Sequence, residues 1–173
     1  AVGTEALSAN TTGTNNVAVG KSALQANTTA NNNIAIGLDS LCVNQTGLKN
    51  VAMGTDTLRN NTGGCNTAIG YLSLTANTSA SNNTSVGACS LNANTTGCHN
   101  TAIGVEALNK NTTGCFNQAI GSFALGCNTE GCQNVAMGMS ALIVNTTGDH
   151  NVAIGRLALT ANQTADSNTA VGT

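Results

Sequence analysis

The chain has 173 residues; Asn, Thr, Ala and Gly supply 98 of them, charged residues make up only 7% and there is no Pro. A soluble domain ordinarily carries about 25% charged residues, and disorder goes with high charge or Pro enrichment, so neither an ordinary domain nor a solvated coil fits. The formal charge of −2, with five scattered cations, leaves no basic footprint for nucleic acid, and no apolar run reaches the roughly 18 residues that span a membrane.

The chain is organised by glycine. Gly3, Gly20, Gly37, Gly54, Gly70, Gly87, Gly104, Gly121, Gly138, Gly155 and Gly172 recur at a spacing of 17, with a single step of 16 after Gly54. Residues 1–173 are thus one continuous array of ten coils and a stub, beginning and ending in mid-repeat, as a window of a longer chain would. Each glycine is taken as position 0 of its coil. A unit of 17 is too short for a helical hairpin, whose repeats run to about 33 residues, and suits one coil of a β-solenoid.

Along each coil, positions 3–6 (Ala-Leu-x-Ala) are expected to form one short strand. Position 4 is Leu without exception: Leu7, Leu24, Leu41, Leu58, Leu74, Leu91, Leu108, Leu125, Leu142 and Leu159. A helix there would have six residues between glycines, far below the roughly 12 to 15 that an isolated helix needs. Positions 7–10, Asn-Thr-Thr-Gly in most coils, carry turn chemistry. Positions 11 and 12 accept almost anything, and with positions 1, 2 and 5 they hold ten of the twelve charges. Positions 13–16 open on Asn16, Asn33, Asn50, Asn66, Asn83, Asn100, Asn117, Asn134, Asn151 and Asn168, followed by an alternating stretch such as Thr-Ala-Ile. This stretch predicts the second strand. The expected fold is all-β: a single-chain solenoid with two short parallel strands per coil.

Stacked coils lie about 4.8 Å apart, giving a rod roughly 48 Å long. Every invariant position then becomes a ladder. Leu fills the interior, while the asparagines at positions 7 and 13 hydrogen-bond from coil to coil as Asn stacks do in cross-β structures. In the second strand, position 15 is Ala except for Ser85, and positions 14 and 16 are mostly Val, Ile, Met or Thr with no charge. Successive side chains point to opposite faces, so one set points outward and yet is restricted to uncharged residues. That pattern predicts burial on both faces, with another chain covering the outer one.

The unit Asn-x-Ala-Ile-Gly-x-x-Ala-Leu-x-x-Asn, seen at Asn100 to Asn111, resembles the head repeats of trimeric autotransporter adhesins and similar tail-fibre-like repeats of viruses. The resemblance runs through the whole chain. It implies a left-handed β-roll assembled as a homotrimer at a cell surface. The family's coils are typically two or three residues shorter, and the extra residues here fall around Asn-Thr-Thr-Gly, implying a wider roll or a longer loop.

Cys98, Cys115 and Cys132 share position 11 in three successive coils, and Cys65 joins them if the missing residue of its coil lies at position 12. Neighbours about 4.8 Å apart fall within the roughly 4.4 to 6.8 Å that a disulfide requires. Bridges within the chain, bridges between chains, and free thiols all remain open. His99 and His150 lie three coils, about 14 Å, apart and cannot share a metal; Cys127 and Cys132 share a coil without a His companion, so no metal or other cofactor is expected. Position 7 opens an Asn-x-Thr/Ser sequon at Asn10, Asn27, Asn44, Asn77, Asn94, Asn111, Asn145 and Asn162, with further sequons at Asn60, Asn82 and Asn83. These are candidate glycan acceptors in a secreted chain, or simply good turns. Glu5, Asp39, Asp56 and Glu106 share position 2, a solvated rim rather than an acid/base pair, and no nucleophile motif appears. The expectation is no enzyme but an extracellular or cell-surface fibre whose partners are copies of itself, as trimer or filament, and a host or matrix surface. A glycosylated matrix filament is the alternative, and ice binding through the Thr columns at positions 8 and 9 a weaker one.

Overall fold

The computed structural model describes residues 1–173 as a single parallel β-solenoid without helices. The strands are β1 (Val17–Val19), β2 (Ile34–Ile36), β3 (Val51–Met53), β4 (Thr67–Ile69), β5 (Thr84–Val86), β6 (Thr101–Ile103), β7 (Gln118–Ile120), β8 (Val135–Met137), β9 (Val152–Ile154) and β10 (Thr169–Val171). They form one sheet in chain order. Register is kept throughout: Ala18 pairs with Ala35, and Ala52 with Ala68 across the 16-residue coil. The predicted strand at positions 13–16 is therefore present, trimmed to positions 14–16.

The other predicted strand is not. Positions 1–6 form consecutive turns, and each coil contributes one strand rather than two. Backbone torsions supply the reason. Position 4, always Leu, has φ between 47° and 54°, and position 2 has φ between 52° and 61° in all ten coils. Amides then alternate in their partners. Ala6 N–H donates to the Gly3 carbonyl and Ser8 N–H to the Glu5 carbonyl within the coil, whereas Leu7 N–H donates to Ala23 and Ala9 N–H to Gln25 in the next. A left-handed third residue is the arrangement of type II turns, here run together. Folding back in this way turns adjacent side chains inward: Ala23 and Leu24, Ala107 and Leu108, are fully buried pairs. A strand cannot do this, because its neighbours point to opposite faces. A left-handed leucine costs about 1–2 kcal/mol, and full burial of its side chain returns about 1.5–3 kcal/mol. Burial decides.

Glycine at position 0 is required twice over. At Gly104, φ is +133°, and a Cβ would stand 2.6 Å from the carbonyl carbon of Gly121 in the next coil. No L side chain fits between two backbones so close. The core inside these walls is narrow: the position-4 leucines, the inward-facing position-15 alanines of the strands, and the small residue at position 3. Of 112 backbone hydrogen bonds, 18 run between strand residues; bonds at the strand ends, such as Val17 N–H to the Asn33 carbonyl, continue the ladder, and the turn segments add coil-to-coil bonds of their own, such as Leu108 N–H to the Ala124 carbonyl.

Candidate functional site

Two columns of asparagine line the inside of the turn region. At position 7, Asn111 Nδ2 donates to Asn94 Oδ1 at 2.8 Å in the preceding coil and to the Gly114 carbonyl at 2.9 Å in its own. Asn128 and Asn145 repeat the pattern. At position 13, Asn100 Oδ1 accepts the Asn117 N–H at 2.9 Å, while Asn100 Nδ2 donates to the Gly114 carbonyl at 2.8 Å, both in the following coil. The first ladder reaches backward along the rod and the second forward. Both converge on the carbonyl at position 10. Buried backbone polar groups left without partners would cost about 1–3 kcal/mol each, and these side chains remove that cost once per coil. Only Asn27 Oδ1 lacks a partner.

Of the sequon asparagines, Asn27, Asn44, Asn77, Asn94, Asn111 and Asn145 are fully buried, and their amide nitrogens donate to the carbonyl at position 10, closing the turn. Asn10 and Asn162, in the first and last coils, are half-buried and donate likewise to position 10. Among the remaining sequons Asn60 and Asn82 are exposed and Asn83 is buried. The position-8 threonines are also engaged: Thr95 Oγ1 donates to the Thr112 carbonyl at 3.1 Å and Thr112 Oγ1 to Thr129 at 3.0 Å. A paired array of free hydroxyls at positions 8 and 9 is therefore absent.

The short coil also resolves. Asn61 Nδ2 and Asn50 Nδ2 both donate to the Gly63 carbonyl, at 2.8 and 2.9 Å, so Gly63 holds position 10 and the missing residue is one of the two turn threonines. Cys65 then stands at position 12, with φ 59° in a column where φ is 58° to 63°, and its N–H donates to Leu48 as its neighbours' do. It does not join Cys98, Cys115 and Cys132, which correct placement leaves as a column of three. The position-12 column instead includes His99 and Phe116, stacked at 4.8 Å, the coil spacing.

A pattern recurs in the position-11 column: where the next coil offers an acceptor there, its side chain caps the backbone N–H in most cases, whereas Leu48 and Gly64 offer none. Thr14 N–H donates to Asn31 Oδ1 at 2.6 Å, Gly64 N–H to Ser81 Oγ at 3.0 Å, and Cys132 N–H to Asp149 Oδ1 at 2.6 Å. In the middle of this series Cys98 N–H meets Cys115 Sγ at 3.0 Å, and Cys115 N–H meets Cys132 Sγ at 3.1 Å. Cysteine here occupies a place where an oxygen acceptor otherwise sits.

Outside the strands, the open question of orientation has its answer. Position 15 faces in, and positions 14 and 16 face out. Val17, Val19, Ile69, Ile103, Ile120 and Ile154 are 38–46% exposed. Leu38, Tyr71, Val105 and Met139 at position 1 extend this apolar surface past the glycine. No set of three or more His, Cys, Asp or Glu side chains converges on the rod, and no helix is long and apolar enough to cross a membrane. Comparison with protein families, curated proteins and solved structures finds no match for the chain.

Proposed function

We propose that the rod is a structural shaft or head at an extracellular or cell surface, and that it works by associating with further copies of itself through the outward face of the sheet. The observation that supports this reading is the chemistry of that face: ten rungs of Val, Ile, Met and Thr, with Gln118 the one exception and no charge, on a chain that places most of its charges on the rims. A face three residues wide and ten rungs long measures roughly 48 by 10 Å, on the order of 480 Å². The largest apolar patch on a monomer is about 300–600 Å² and often functional. Here it repeats with the coil, so a second copy in register meets an uncharged side chain at every rung.

Sedimentation velocity on the purified chain tests this. The expected result is a discrete assembly, with Ile103→Lys/Ile120→Lys returning it to monomer and Gln133→Lys on the rim leaving it intact. A wild-type chain that stays monomeric at high micromolar concentration overturns the reading, and open-ended filaments in place of a closed oligomer turn it toward a matrix filament. Antibody labelling of intact source cells tests the location.

A further inference from the structure

We propose that Cys98 and Cys115 form a thiol oxidation site, closing a reversible disulfide between adjacent coils at the expense of a small-molecule disulfide, and that Cys132 takes no part in it. The two sulfurs are 3.1 Å apart, already in contact and about 1 Å from a bond. They are neighbours in a parallel stack, where the spacing of about 4.8 Å suits the Cα separation of a disulfide. Both side chains are partly exposed on the rim, open to an oxidant in solution. Cys132 differs: its Sγ accepts the Cys115 N–H at 3.1 Å and lies 3.3 Å from the Glu130 carbonyl of its own coil, as Cys115 Sγ lies 3.5 Å from Thr113, but it makes no contact with another sulfur. Cys42 and Cys127 have no cysteine at their own position in a neighbouring coil.

Either thiol can donate across the contact, and either sulfur can act first. The hydrogen bond with Cys115, helped by burial, pushes Cys98 up from the ordinary 9.0 to about 11. When Cys115 acts first, its sulfur, after losing its proton to solvent, attacks one sulfur of a disulfide such as oxidised glutathione, forming a mixed disulfide and expelling one glutathione thiolate. Cys98 gives its proton to that thiolate, its sulfur attacks Cys115 Sγ, and the second glutathione leaves. The protein loses two hydrogens and two electrons, and the small disulfide becomes two thiols. The Cys98 N–H keeps a sulfur acceptor throughout.

The test is oxidation of the reduced full chain by oxidised glutathione, acid quenching, alkylation, intact mass and peptide mapping. Of seven cysteines, five should remain alkylatable, with a loss of about 2 Da and one crosslink, Cys98 to Cys115. Cys132→Ser should keep the bridge. Cys115→Ser should abolish it, because Cys98 and Cys132 lie two coils, about 9.6 Å, apart, beyond disulfide reach. Serine is native to this column, where Ser81 Oγ accepts the Gly64 N–H, so the variant should fold, and circular dichroism checks that. The same oxidation in urea should lose the Cys98–Cys115 selectivity. The proposal is overturned if all seven thiols stay alkylatable, if glutathione remains attached as the end product, if the bridge joins two chains, or if its selectivity persists in urea.

Discussion

The third to sixth coils and the seventh to tenth share one backbone but line it differently. In the later coils the inner residue at position 3 is Ala107, Ala124, Ala141 and Ala158, methyl groups against leucine. In the earlier ones it is Ser40, Thr57, Ser73 and Ser90, all fully buried. Each hydroxyl there has an acceptor: Ser40 donates to the Ala52 carbonyl at 3.1 Å, Thr57 to Gly70 at 2.7 Å, and Ser90 to Gly87 at 3.0 Å. Ser85, the only strand residue to replace the inward alanine, sits between Ser73 Oγ at 2.8 Å and Ser90 Oγ at 2.6 Å. The core thus tolerates a hydroxyl at position 3 because a carbonyl is always near, and at position 15 where position-3 serines flank it on both sides. The asparagine ladders run through both regions, with one gap where Asn44 Nδ2 donates to Gly47 alone and not to Asn27 Oδ1.

Converting a ladder asparagine should therefore hurt equally in either region. Asn66→Asp and Asn117→Asp each put a carboxylate where an amide donates to a carbonyl, at 2.9 and 2.7 Å. At neutral pH the expected loss is about 3–5 kcal/mol for an uncompensated buried charge, read from urea midpoints. Burial raises the carboxyl pKa above its unfolded value of about 3.9. The penalty should then be relieved below that value, where both states are protonated, and grow as pH rises through the raised folded pKa. A flat pH response would place the new carboxylate in water.

Truncating the leucine column comes next. Leu74→Ala and Leu108→Ala should each cost about 2–5 kcal/mol, with Leu108 toward the upper end because its cavity is walled by methyl groups alone and stays dry. Equal losses would show that the serines do not soften the cavity. A hydroxyl moved into the alanine-lined region tests the pairing rule. Ala119→Ser alone can still donate to the Ala124 carbonyl, as Ser85 does to Ser90 at 3.0 Å, but lacks the flanking hydroxyls, and should cost about 1 kcal/mol. Adding Ala107→Ser and Ala124→Ser rebuilds the trio found at Ser73, Ser85 and Ser90 and should recover most of that loss. The smallest effect is expected from inserting Thr between Thr62 and Gly63. It restores a 17-residue coil at a surface turn without touching the Gly63 carbonyl, so stability should move by less than about 0.5 kcal/mol.

Much of this was legible because identical residues at a fixed period must occupy equivalent places. The Asn66 to Asn168 columns, the interior leucines, the strand ending at Ile103 and its uncharged character all follow from recurrence. The failures share a cause as well. Ala-Leu-x-Ala read as a strand because left-handed φ at a leucine leaves no mark in composition; two adjacent inward residues, such as Ala107 and Leu108, were the available clue. Cys65 reads as a member of the position-11 column only if the missing residue lies at position 12, and the sequence leaves that place open until hydrogen bonds to Gly63 locate it. The sequons at Asn94 and Asn111 read first as turns and second as acceptors, because the motif records residue type and not burial.

By itself, then, the amino-acid sequence determined the period, the number of coils, the membership of nearly every column and the location of the strand, since each is a statement about which residues are equivalent. Where the columns point was decided only by the tertiary structure. The sign of φ at positions 2 and 4 turns Leu inward, pleating turns Ala in and Ile out, and stacking at the coil spacing brings the Cys115 sulfur against that of Cys98 while Cys132 Sγ meets the Cys115 N–H and no other sulfur. Direction is a property of torsion and of neighbours from other coils, and neither is written in the repeat of a single one.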